Sequence, residues 1–185
     1  MRKIPFDRAK LEEIAAKWPT PFHIYDAKAI RENAKRLKKA FSWNKGFREY
    51  FAVKAAPNPH LMKLLKGFDF GSDCSSMAEL VLAEKVGNTG DKIMFTSNDT
   101  PAEEFRKAWE LGAIINLDDI THWPFVLEAV GRPQAAELGE HIFCCRYNPG
   151  PLKGGNAIIG KPEEAKYGFT RDQLSSATRR CAMRE

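Results

Sequence analysis

The sequence predicts an α/β fold built on a parallel sheet. From Arg48 onward, short apolar runs alternate with amphipathic segments, strand then helix, five strands deep. The runs are continuously apolar rather than alternating, as expected of parallel strands buried on both faces. The links between them are short, which suits right-handed crossovers. Two architectures share this rhythm, a (β/α)8 barrel and an open doubly wound sheet. No Gly-x-Gly-x-x-Gly follows the first strand, which weakens the dinucleotide-binding version of the open sheet.

The elements follow in order. Leu11, Ile14 and Ala15 space a helix near Asp7 to Lys17, and Phe22 to Tyr25 reads as a strand. A helix then runs to about Phe41, with Ile30, Ala34 and Leu37 on one side. Arg48 to Lys54 is the next strand. Asn58-Pro59 opens a helix that Gly67 stops. Phe68 to Ser72 is a strand, and Ser76-Met77-Ala78-Glu79 has the form of a capping box. Lys92 to Thr96 is a strand, Pro101 to Leu111 a helix, Ala113 to Leu117 a strand and Asp119 to Val130 a helix. His141 to Arg146 is the last strand. A Gly/Pro-rich loop over Asn148 to Gly160 follows it, and a final helix starts at Thr170.

Composition excludes several classes. The formal net charge is +5, yet the densest basic run, Arg31 to Lys39, interleaves with apolar residues at helical spacing. It reads as the solvated face of an amphipathic helix, so no nucleic-acid partner is expected. No apolar stretch is long enough to span a bilayer, and the charged start lacks a following apolar region. A cytoplasmic location with no membrane partner is expected. Cys74, Cys144, Cys145 and Cys181 form no Cys-x-x-Cys pair, so no metal site is expected and the thiols should be reduced.

Lys54 carries the chemistry. It follows Tyr50-Phe51-Ala52-Val53 and precedes a Pro/Asn turn, which places it at the carboxyl end of a predicted strand. In parallel α/β folds that edge is where reactions are done. An amine held there against apolar walls can act as a nucleophile toward a carbonyl and form a Schiff base. The same position also suits an exposed lysine at a strand end.

Phe51-Ala52-Val53-Lys54-Ala55 resembles the cofactor-lysine motif of the fold-type III pyridoxal-phosphate decarboxylases. That family includes diaminopimelate, ornithine/arginine and carboxynorspermidine decarboxylases. Further segments appear in the family's order. Thr20-Pro21-Phe22-His23-Ile24-Tyr25-Asp26 is similar to its opening segment, and Phe70-Gly71-Ser72-Asp73-Cys74 to its second-strand segment. Phe95-Thr96-Ser97-Asn98-Asp99 is similar to the third-strand end, and Arg146-Tyr147-Asn148-Pro149-Gly150 to the fifth. Lys166-Tyr167-Gly168-Phe169 resembles the Lys-Phe-Gly segment of diaminopimelate decarboxylases.

The resemblance implies an alanine-racemase-like (β/α)8 barrel and pyridoxal 5'-phosphate as cofactor. It implies that Lys54 is catalytic and carries the cofactor as a Schiff base. Asp73 would bias the protonation of that linkage, and Arg146 would face the cofactor's phenolic oxygen. Ser76 and Asn98 would line the cofactor pocket, and Lys166 would lie near the substrate. Where the family has Lys-Ala-Asn this chain has Lys54-Ala55-Ala56. Where it has Ser-Gly-Gly-Glu this chain has Ser76-Met77-Ala78-Glu79.

Five strands are counted where the resemblance implies eight. The expectation is therefore an incomplete barrel in a truncated chain, residues 1–44 forming N-terminal helices with one strand and 45–185 a partial barrel. The implied reaction is decarboxylation of meso-diaminopimelate to L-lysine, weak or absent in this chain alone. The alternatives are a carboxynorspermidine decarboxylase and a non-catalytic fragment or pyridoxal-phosphate-binding protein. A full-length parent would be a homodimer acting on a small amino acid.

Overall fold

A computed structural model describes residues 5–148 and 167–182, with backbone only for 178–182. The chain divides into two compact units, Met1–Phe47 and Arg48–Glu185.

The first unit holds helices α1 (Arg8–Lys17) and α2 (Ala27–Ala40). Each starts at an aspartate whose carboxylate accepts free amide N–H groups of the first turn. Asp7 accepts from Lys10, and Asp26 from Lys28 and Ala29. Phe41 and Phe47 stack after α2, with ring centroids 4.2 Å apart. The basic residues of α2 lie on the solvent side, and Ala34 is the helix's buried residue. Residues 22–25 are not a strand, contrary to the sequence reading. An extended apolar segment becomes a strand only by pairing its backbone groups, and none of the paired strands includes it.

The second unit is one sheet backed by helices. Strands β1 (Tyr50–Ala52), β2 (Gly71–Cys74), β3 (Ile93–Thr96), β4 (Ile114–Leu117) and β5 (Phe143–Cys145) lie side by side in sequence order. Every pair is parallel. This order separates the two candidate architectures. A doubly wound sheet reverses its strand order at a switch point, whereas a barrel adds each strand beside the last. The sheet follows the barrel rule throughout.

Between the strands run α3 (Pro59–Lys66), α4 (Met77–Lys85), α5 (Ala102–Glu110), α6 (His122–Ala129) and the short α7 (Ala135–Gly139), which the sequence reading lacked. Helix α8 (Arg171–Ala182) comes last. Asn58 caps α3 and Gly67 ends it. A single parallel bridge, Tyr147 to Phe169, continues the sheet beyond β5.

The core lies between the sheet and its helices. Ile93, Phe95, Ile115 and Leu117 point into it from the strands, and Leu80, Phe105, Ala108 and Val126 from the helices. Phe95 meets Phe105 edge to face at 6.0 Å. Enclosing one such side chain is worth roughly 2 kcal/mol. Gly71 is required by close packing. A Cβ there would stand 2.6 Å from both the Lys92 carbonyl and the Tyr50 ring.

The opposite face differs from the sequence expectation. Tyr50, Ala52, Asp73, Met94, Thr96, Ile114, Asn116 and Cys144 are only half-buried. The strands are thus enclosed on the face that packs against the helices of this unit and only half-buried on the opposite one. Cys74 and Cys144 are free thiols, and burial pushes the Cys74 thiol up to about 12. Among the described residues no helix is long and apolar enough to cross a membrane. Nor does any group of three or more His, Cys, Asp or Glu there have the arrangement of a metal site.

Candidate active site at the carboxyl edge of the sheet

The chain's polar groups gather at the ends of the five strands. Beyond Ala52, Val53–Ala55 forms a single 3-10 turn rather than more strand. Val53 is fully enclosed and anchors this turn, which leaves Lys54 exposed one residue later. The Ala56 amide closes the turn on the Val53 carbonyl at 3.1 Å.

Asp73 stands one strand over, its backbone paired with that of Ala52. Its neighbours Ser72 and Cys74 face the helices, so alternation turns Asp73 to the open face. Burial pushes its carboxyl above the usual range. A hydrogen bond with the Thr96 hydroxyl and the charges of Lys54 and Arg146 oppose that rise, while Glu79 adds to it. The Asn116 side-chain amide donates to the Thr96 oxygen at 3.4 Å. A polar ladder thus runs across three strands from Asn116 through Thr96 to Asp73.

A second cluster lies beyond β4. Asp118 is only 1 % exposed, and its Oδ2 accepts from Arg146 Nη1 at 3.1 Å. The Asn98 amide donates to the same oxygen. Behind it, the Asp118 backbone N–H donates to His122 Nδ1 at 3.4 Å. Burial raises the Asp118 carboxyl, and the charges of Arg146 and His122 pull it back. Gly168 sets the distance to the adjoining segment. Its φ is +131°, and a Cβ there would stand 2.9 Å from the Arg146 carbonyl. The Phe169 amide donates to that same carbonyl at 2.7 Å.

The residues expected from the sequence fall into three groups. Lys54 and Arg146 are both brought within electrostatic reach of Asp73. Asn98 joins them through Asp118. Ser76 does not make the expected capping bond. Its hydroxyl turns to Glu79 at 3.3 Å, and the Met77 amide that follows donates to Glu104 on α5. Lys166, with Pro149 and Gly150, lies outside the described residues. Thr96, Asn116 and Asp118 were not singled out in the sequence. The alternation Ile114, Asn116, Asp118 along one face was the signal that could have found the last two.

The sequence model for the pyridoxal binding domain of pyridoxal-dependent decarboxylases matches residues 27–185. The chain belongs to this family. It is 36% identical over 169 residues to Protein TabA of Pseudomonas amygdali pv. tabaci, covering 91% of this chain and 38% of that protein. It is 35% identical over 107 residues to the diaminopimelate decarboxylase of Methanothermobacter thermautotrophicus, covering 57% of this chain and 25% of that one. Among solved structures it resembles the diaminopimelate decarboxylase of M. jannaschii in complex with L-lysine. The TM-score is 0.77 at 26% identity, covering 94% of this chain and 41% of that one. The chain therefore spans between a quarter and about two fifths of the length of these relatives.

In this pyridoxal-dependent decarboxylase domain the donor set suits the aldehyde end of the cofactor. It offers an exposed primary amine, a carboxyl group in its field, and a guanidinium fixed by a buried partner.

Proposed function

We propose that this domain carries pyridoxal phosphate on Lys54 and serves decarboxylation of an amino acid, meso-diaminopimelate going to L-lysine. The observation that carries the reading is Lys54 at the carboxyl edge of a barrel-ordered sheet, within electrostatic reach of Asp73, which Arg146 also reaches. When bound, pyridoxal phosphate supplies an electron sink for bond cleavage at the α-carbon of an amino acid. Lys54 brings the nucleophilic amine to the cofactor's carbonyl. Asp73 keeps a proton-binding group beside that amine. Arg146 holds a fixed positive charge toward the cofactor's phenolic oxygen, with a planar geometry that lysine could not reproduce.

Diaminopimelate is favoured over carboxynorspermidine because diaminopimelate decarboxylases recur among the relatives and the solved structures. The chain spans between a quarter and about two fifths of such proteins, which favours a second reading beside the first. On that reading the 185 residues are a cofactor-carrying part with weak or no turnover by themselves.

The test is reductive trapping. The purified chain is incubated with pyridoxal phosphate, reduced with borohydride and mapped by mass spectrometry. Selective modification of Lys54 is expected. Labelling spread over many lysines would overturn the assignment. Release of carbon dioxide from diaminopimelate by the trapping-competent chain would then separate the catalytic reading from the cofactor-carrying one.

A further inference from the structure

Asp118 is the charged group most completely enclosed among the described residues, and the reading above gives it no role. Burying a carboxylate is costly unless it is paired and hydrogen-bonded. The chain bears that cost at the sheet's working edge, where the carboxylate collects two side chains from different strand ends. Arg146 follows β5 and Asn98 follows β3, and both donate to Asp118 Oδ2. His122 accepts the backbone N–H of Asp118 from the start of α6, which steadies the turn. Arg146 also acts on Asp73 through its charge. One guanidinium therefore stands between two carboxylates, on β2 and after β4.

We infer that Asp118 is a positioning residue. It holds Arg146 at the end of β5 and keeps the guanidinium from collapsing onto Asp73, so that its positive charge stays directed to the cofactor's oxygen. This rests on the proposed cofactor role of Lys54 and Arg146. Asp118 acts on the site through Arg146, which donates to its Oδ2. Asn98 shares the same oxygen and fixes the carboxylate's rotation.

The first test needs no substitution. In the cofactor-free chain, nitrogen-15 spectra should show separate, slowly exchanging Nη signals for Arg146. A freely rotating guanidinium would overturn the inference.

The second follows the Asp73 side-chain carboxyl carbon through a pH titration. Asp73 faces Thr96, Lys54, Glu79 and Arg146. Asp118→Asn keeps the shape but removes the charge that holds Arg146. Arg146 should then turn to Asp73 and lower its proton affinity about tenfold. In an Arg146→Gln background the same substitution should leave Asp73 unmoved, and Asp118→Glu should restore the unmutated titration. An Asp73 titration indifferent to Asp118→Asn would overturn the inference.

Reductive trapping on the unmutated chain is the separate control. If Lys54 fails to trap pyridoxal phosphate, the cofactor reading falls, while the two spectroscopic results still decide whether Asp118 holds Arg146.

Discussion

Arg146 and Asp118 form an ion pair at 3.1 Å across the ends of adjacent strands, the guanidinium about a third exposed and the carboxylate enclosed at 1 %. The two partners are therefore unequal. Removing Arg146 strands a buried charge, whereas removing the charge of Asp118 leaves a cation that water can still reach. Arg146→Ala should cost about 2–3 kcal/mol of stability and Asp118→Asn about 1 kcal/mol. Urea unfolding of the two variants checks the order. Equal costs would mean that the pair is effectively solvated.

Lys54 should be nearly silent in folding. It is exposed, and the buried Val53 rather than Lys54 anchors its turn. Lys54→Ala should change stability by no more than about 0.5 kcal/mol and should abolish selective borohydride labelling. A variant that unfolds would show the amine to be structural.

Gly168→Ala should be expensive. The backbone is at φ +131°, a conformation open to glycine, and the added methyl would press on the Arg146 carbonyl. A loss of about 2–3 kcal/mol is expected, together with a shift of the Arg146 guanidinium signals. Wild-type stability in this variant would show that the segment can move away from β5 without penalty.

His141 gives the acid limit a specific contributor. It stacks on Trp109 with centroids 3.5 Å apart, and burial lowers its affinity for a proton. The unfolded chain then binds that proton more readily than the folded one. His141 therefore favours folding above its unfolded value, near 6.5, and this contribution is lost as pH falls through the lower folded value. Thermal melts between pH 7 and 5 should show a falling Tm that His141→Phe blunts. The same slope in both proteins would assign the effect elsewhere.

The α/β rhythm was legible because continuously apolar strands separated by Gly-stopped helices leave few other solutions. Lys54 was legible from its place at a strand end, whereas Asp73 and Arg146 were expected only through the family resemblance. Pairing was not. Asp118 and Asp119 are adjacent and alike in sequence, yet Asp119 turns outward to accept from Thr121 at 2.6 and 2.8 Å while Asp118 is enclosed. Only the positions of Arg146 and Asn98 in space decide between them. Phe22 to Tyr25 failed for the converse reason. Its composition suits a strand, but a strand is a relation between two segments and none of the sheet's pairs includes it. Ser76 kept the capping-box letters while Glu79 accepted the Ser75 amide at 2.9 Å, because a neighbouring helix took the following amide.

The sequential strand order has a consequence for how the molecule comes into being. Every register pair of the sheet joins residues roughly 20 to 30 apart, from Tyr50 with Gly71 to Ile115 with Phe143. Each new strand can dock on the one synthesised just before it, with no wait for a distant partner. During translation the sheet can grow one unit at a time as the chain leaves the ribosome. The lysine turn after β1 would be shaped early, and the Arg146–Asp118 clasp would close only when the fifth strand arrives.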